Sequence, residues 1–430
     1  MRRIVLLLPV VLLGALPNAA ADGMLDPSFG NGGLVTTNFP FSSESDSAFA
    51  VVVQPDGRAV AAGSVGDGHT MGAARYLTSG ALDTTFSGDG LAVVEAAGCQ
   101  SSGPFGGASA LLLQPDGRLV LVGACPGGDF LIARLNVDGS PDFSFGTNGH
   151  VITPITPFAR PVAAMLQPDG RIVAVGSAPF LPCCGDTFLV AARYNPDGSL
   201  DPSFGTGGTL TLHPTSFFRP EDAVLQADGK LVIAGNSGLP NFNFTLVRLL
   251  PNGTLDTSFG GNGVVTTGFG GDSSANSVIV LSDGRIVAGG FWSGDLALAR
   301  YLPDGSLDVT FGTGGLATAD SGATDGLAQL ILLPNGKLLA AGYTSNSQGP
   351  ADFLLARFHP DGALDTSFGS SGFITTDFNA GSSDACNSVA LAGPDLFLTA
   401  GSTVPPLLGD FALARYIAST PVELLAFDVE

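Results

Sequence analysis

Three observations on this chain of 430 residues predict an all-β, seven-bladed β-propeller with four antiparallel strands per blade. A Leu-Asp-x-x-Phe phrase recurs seven times, with aspartates at Asp26, Asp83, Asp142, Asp201, Asp256, Asp308 and Asp365, and Pro141 replaces its leucine once. An arginine phrase, mostly Ala-Arg, recurs at Arg75, Arg134, Arg193, Arg248, Arg300, Arg357 and Arg415. Each of the first six arginines lies eight residues before the next aspartate, whereas Arg415 has no aspartate of the phrase after it and Asp26 stands unmatched at the front. A repeat of 52–59 residues whose two ends complement each other implies a closed ring.

The chain opens on a segment unlike the repeat. Arg2 and Arg3 precede an apolar run from Ile4 to Leu16, and the small residues Ala19, Ala20 and Ala21 follow. The run is too short to span a bilayer, so residues 1–21 read as a cleaved secretory signal. No later stretch qualifies as a membrane helix. Residues 22–417 are then the propeller and 418–430 a C-terminal tail, in a protein expected to be secreted, periplasmic or at the cell surface.

Residues 48–94 show one repeat. Ala48 to Gln54 is a valine-rich apolar run, Pro55-Asp56-Gly57 turns the chain, and Arg58 to Ser64 follows as a second strand. Asp-Gly between two such runs signals a hairpin, because glycine accepts the positive φ of a tight turn. Gly63 lies seven residues after Asp56, with counterparts at Gly123, Gly176, Gly235, Gly290, Gly342 and Gly401. Their recurrence predicts close backbone approach between neighbouring units. A third strand, Gly72 to Leu77, carries Arg75, and a fourth is expected over roughly Leu82 to Val94. Four strands without helical periodicity describe a propeller blade. The nearly continuous apolarity of the first two strands predicts burial on both faces. The last blade lacks a fourth strand after Arg415, while residues 25–37 carry that motif. They are expected to pair with the segment from about 387 to 416, which closes the ring and removes a free sheet edge.

Up-and-down strands place the tight turns on one face of the disc and the other connections on the opposite face. From the repeated glycine to the repeated arginine the interval is 12, 11, 17, 13, 10, 15 and 14 residues. Recognition is expected on this variable face, because loops on a rigid scaffold tolerate change. Its individual loops run from Ser177 to Thr187, Asn236 to Phe244 and Phe291 to Asp295. They contain Phe180, Phe242 and Trp292, the only tryptophan, as candidate ligand-binding aromatics; such rings stack on sugars or anchor partners, or shield a loop's own small core. All five cysteines map to this face too. Cys99 and Cys125 are a candidate disulfide in an oxidising compartment. Cys183 and Cys184 form a vicinal pair, and Cys386 is expected to stay unpaired.

The polar residues are mostly repeat chemistry. A formal charge of −21 argues against nucleic acid and anionic membranes as partners. Nine aspartates precede glycine in hairpin turns, and six bases (Arg58, Arg118, Arg171, Lys230, Arg285, Lys337) follow such turns. In the mature chain only Arg160 and Arg219 are basic residues outside the repeat. The seven arginines and seven aspartates are read as structural pairs, such as Arg75 with Asp83, because a scaffold residue occurs once per blade and a catalytic one once per chain. No metal or cofactor is expected, although calcium could use the oxygen ligands of turns. The four histidines, His69, His150, His213 and His359, occupy different blades and repeat positions. No zinc pair, nucleophile elbow or phosphate loop occurs, so no catalytic residue is assigned. Glu95, Glu221, Asp272, Asp320 and Asp325 are the non-repeat acids that an enzyme would draw on.

The phrases Gln-Pro-Asp-Gly-Arg (54–58, 114–118, 167–171), Ala-Arg-Tyr-x-Pro-Asp-Gly-Ser-Leu-Asp (192–201) and Ser-Phe-Gly-x-x-Gly resemble the delta-60 repeat family of bacterial exported proteins. The resemblance covers most of residues 25–416 and implies blade-like modules and an extracellular setting. It carries over no catalytic residues. Pro141, Asn335 and Pro394 depart from the pattern within single turns. Together these readings describe a monomeric, exported binding scaffold for a polysaccharide or an envelope or surface protein. The alternative is a hydrolase or lyase acting on an extracellular polymer.

Overall fold

The computed structural model describes residues 22–40, 45–66, 70–96, 99, 106–179, 187–215, 217–238, 241–346, 349–379, 381–404 and 409–418. The expected signal segment, Phe180, Cys183, Cys184, His69 and the tail beyond Ala418 lie outside the described residues. Seven four-stranded antiparallel sheets form a ring. Blade 1 runs through Ser47–Val53, Ala59–Val65, Thr70–Tyr76 and Leu91–Val94 in spatial order. Blades 2 to 6 repeat this order over residues 108–153, 160–212, 218–267, 273–319 and 324–376. First strands contact first strands all the way round, including that of blade 1 with that of blade 7, so they surround the axis.

Burial follows position in the blade. Ala59–Val65 and nearly all of Thr70–Tyr76 are buried, because the middle strands pack between two neighbouring blades. The first strands differ from the expected double burial. Arg160–Leu166 alternates half-buried with buried residues, since one side packs on the adjacent blade and the other turns toward the axis. The fourth strand is also shorter than the span from Leu82 to Val94. Leu82 makes a single bridge to Tyr76, and the strand proper begins at Leu91. Between them the phrase's phenylalanine is buried, and the next residue takes a positive φ of 49–61° (Gly30, Ser87, Gly146, Gly205, Gly260, Gly312, Gly369). A left-handed residue ends extended pairing.

The repeated glycine has a cause inside its own blade. Each first strand bulges by one residue against the second, as between Ala48 and Ala50 or Pro161 and Ala163. The bulge drives a first-strand carbonyl toward the second strand. A Cβ on Gly63 would stand 1.9 Å from the Ser47 carbonyl oxygen, and one on Gly290 1.8 Å from that of Ser274. The close approach is therefore between strands of one blade, where the sequence pointed to neighbouring units.

Blade 7 closes the ring. Its three C-terminal strands, Ser383–Gly393, Leu396–Val404 and Asp410–Ile417, are completed by Leu34–Thr37 from the N-terminal end, with Leu34 opposite Ala414. Asp26 N–H donates to Arg415 O at 2.8 Å and Arg415 N–H to Gly33 O at 2.9 Å. Asp83, Arg75 and Gly90 make the same bonds in blade 1. In the other blades the third-to-fourth turn is continuous chain. Here Asp22 and Ala418 replace it, and the Arg357 guanidinium of blade 6 donates to both.

Candidate ligand-binding cavity

The repeat arginines form the frame around the site. Each Nε lies 2.6–2.8 Å from the Oδ2 of its phrase aspartate, from Arg75–Asp83 to Arg415–Asp26. Each guanidinium also lies over the phrase's phenylalanine, 4.4–4.9 Å from the ring centroid. Nη1 reaches across to a main-chain carbonyl of the next blade, including Val137, Pro196, Pro251, Pro303, Pro360 and Thr78. The ion pair was legible in the sequence spacing; the bond between blades was not. Six of the aspartates receive a second cation, the base after the first hairpin turn, as Arg118 does for Asp142 at 3.2 Å. Burial pushes the Asp256 carboxyl up, but Ser258 hydroxyl and N–H donors with Arg248 and Lys230 outweigh it and bring it down to about 2.

A cavity of about 690 Å³ opens at the axis on the variable-loop face. All seven bulge residues line it: Phe49, Ser109, Val162, Glu221, Asn276, Ala328 and Asn387. The bulge aims these side chains at the axis. Asn276 Nδ2 donates to Leu327 O and Asn387 Nδ2 to Ala48 O, both at 2.8 Å, so the rim is also stitched from blade to blade. Beside Glu221, Asp222 accepts from Val278 N–H at 2.9 Å and Ser277 Oγ at 3.0 Å in the next blade. Burial raises its carboxyl to about 6.

Arg160 and Arg219 line the same cavity from adjacent blades. They occupy one repeat position, the residue whose carbonyl meets the repeated glycine. The other copies hold Ser47, Gly107, Ser274, Gly326 and Ala385 there. Burial and the charge of Arg219 lower the basicity of Arg160. Arg219 Nε lies 2.9 Å from Glu221 Oε1, while burial holds the Glu221 carboxyl above its ordinary value.

The other expected residues fall in several places. Phe242 lines the cavity, with its ring 5.3 Å from that of Phe217, and its N–H donates to Asp272 at 2.9 Å. Trp292 closes a strand hairpin opposite Asp295 and packs near Phe269 at 6.3 Å; its neighbour Phe291 lines the cavity. Cys99 and Cys125 are disulfide-bonded, with Cα atoms 5.2 Å apart. Cys386 is free and buried, and burial pushes its thiol up to about 12. His213 stacks near Phe188 and His359 lies 3.6 Å from Asp365, so the described histidines do not converge.

Six segments of the chain, residues 54–86, 114–145, 167–204, 226–259, 281–311 and 333–368, match the family described as a domain of unknown function (DUF5122) β-propeller. The chain is a repeat β-propeller protein. Each matched segment ends on the phenylalanine beneath an arginine, so the match follows the frame of the propeller. Arg160, Arg219, Glu221 and Asp272 lie between matched segments. No curated protein matches the propeller's sequence. Among solved structures, it is similar to a protein of unknown function from Dyadobacter fermentans at 12% identity, covering 90% of this chain and 99% of that one, with a TM-score of 0.45. A Lactobacillus plantarum protein is 13% identical over 77% of this chain and 88% of its own, with a TM-score of 0.43. An ulvan lyase bound to a -[GlcA(1-4)Rha3S]- unit is 11% identical over 72% and 84%, with a TM-score of 0.41.

Proposed function

We propose that the propeller is an exported, non-catalytic binding scaffold that takes an acidic polysaccharide into its axial cavity. The reading includes a cleaved signal at residues 1–21, repeats of the delta-60 kind and a monomeric ring. The observation that carries it is the convergence of Arg160 and Arg219, the two mature-chain bases outside the repeat, on one cavity of a strongly acidic protein. A guanidinium fork suits carboxylate and sulfate groups. Phe49, Phe242 and Phe291 add apolar surface at the same rim, against which sugar rings pack.

The test is binding of oligouronates, sulfated oligosaccharides and neutral oligosaccharides on a glycan array, followed by titration of the hits. Acidic ligands are expected to bind, more weakly as salt rises, and the Arg160→Ala, Arg219→Ala double variant to lose at least about tenfold in affinity. Binding confined to neutral glycans or to an envelope protein, or indifferent to the double substitution, sinks the reading. The alternative, a hydrolase or lyase, is favoured by one observation, the raised carboxyl of Glu221 inside the cavity, since a general acid needs such a shift. Polymer turnover that Glu221→Gln abolishes would decide for it.

A further inference from the structure

The junction of blades 5 and 6, with Asp295, Asp320 and Asp325, and that of blades 6 and 7 carry acids at the same three places. Asp352 lies at the start of the third strand of blade 6, Ala351–Phe358; Asp377 follows its fourth strand, Phe373–Thr376; and Asp384 lies at the start of the first strand of blade 7. One carboxylate oxygen from each stands within 4.8 Å of the others.

Equivalent aspartates at the flanking junctions show what Asp384 lacks. At Asp325, Ser321 donates its N–H to one carboxylate oxygen at 3.0 Å and its hydroxyl to the other at 2.6 Å. At Asp46, Phe39 N–H and Gly66 N–H occupy the two oxygens at 2.8 and 2.9 Å. Asp384 is fully buried and accepts Phe378 N–H on Oδ2 at 2.8 Å, whereas its Oδ1 has no hydrogen-bond partner among the described residues. A buried carboxylate with one unpartnered oxygen, set beside two more carboxylates, is unfavourable until a cation completes it. Where Asn38 stands in the place of Asp377, its amide donates to Asp410 at 3.0 Å and the repulsion is gone.

We propose that Asp352, Asp377 and Asp384 bind a calcium ion that ties blade 6 to blade 7. Oxygen-only donors select a hard cation. Calcium takes oxygen ligands at about 2.3–2.6 Å in flexible geometry, which oxygens within 4.8 Å of one another can supply, whereas magnesium at about 2.0–2.1 Å demands near-ideal octahedral geometry and gives up water reluctantly. None of the three aspartates is a hairpin-turn residue, and the site is independent of the axial cavity.

Calorimetric titration of the EDTA-stripped full chain with calcium chloride should show a saturable site with a Kd of about 0.1–1 mM, the range of extracellular modules. Calcium at about 10 mM should raise the Tm by about 1–3 °C relative to magnesium. Asp377 is exposed, so Asp377→Asn is expected to keep or slightly raise the metal-free Tm as one repelling charge goes, bind calcium at least about tenfold more weakly and lose the calcium-dependent rise. Asp56→Asn, at an exposed hairpin turn, should change neither. No saturable heat, unchanged binding in Asp377→Asn, or magnesium as effective as calcium overturns the proposal.

Discussion

A repeat arginine such as Arg300 joins three layers of contact at once. Its Nε pairs with Asp308 at 2.8 Å, its plane covers Phe311 and its Nη1 holds the Pro360 carbonyl of blade 6. Both members of the ion pair are buried. Removing the guanidinium leaves Asp308 with the half-buried Arg285 and leaves the carbonyl without its donor. Breaking a buried pair costs about 3–5 kcal/mol, and the retained second cation places Arg300→Ala at the lower end. The variant is expected to lower the Tm measurably while leaving cavity binding intact; an unchanged melting curve would show that the pair adds nothing to stability. Asp26 is the exception among the phrase aspartates. Leu396 stands where the other blades carry a base after the first turn, so Asp26 relies on Arg415.

Within a blade, the bulge links the fold to the cavity. It places seven side chains at the axis and needs glycine on the facing strand. Gly290→Ala would put a Cβ 1.8 Å from the Ser274 carbonyl oxygen, so the strands must part or the bulge must move. The expected loss is about 1–3 kcal/mol, as for overpacking, read as a fall in Tm. Gly393→Ala meets nothing nearer than 3.8 Å and is expected to leave the Tm close to wild type. Equal melting of the two variants would remove the steric account. The hairpins and the arginine register were legible because turn chemistry and the eight-residue spacing repeat. The bulge was hidden, because one extra residue in a valine-rich run changes neither composition nor turn signals. The cavity was half legible for the same reason. Arg160 and Arg219 stood out as bases outside the repeat, but their convergence depends on two blades being neighbours with bulges in equal register.

For the whole ring, the decisive contact joins the two ends of the described chain. Leu34–Thr37 covers the edge of Asp410–Ile417, and the Asp26 and Arg415 main chains repeat the pairing seen inside every other blade. A chain that starts at Asn38 keeps six complete blades and leaves an open edge on the seventh, the geometry that recruits foreign strands. It is expected to elute as oligomers in size-exclusion chromatography and to melt below the full-length ring. A monomer with wild-type melting would mean that the segment is dispensable. The seam also fixes an orientation. Asp22 and Ala418 meet where the other blades make their tight third-to-fourth turn, on the side of the disc away from the cavity mouth. A tether or fused reporter attached at Asp22 or Ala418 would therefore hold the disc by its back and leave the cavity mouth turned outward.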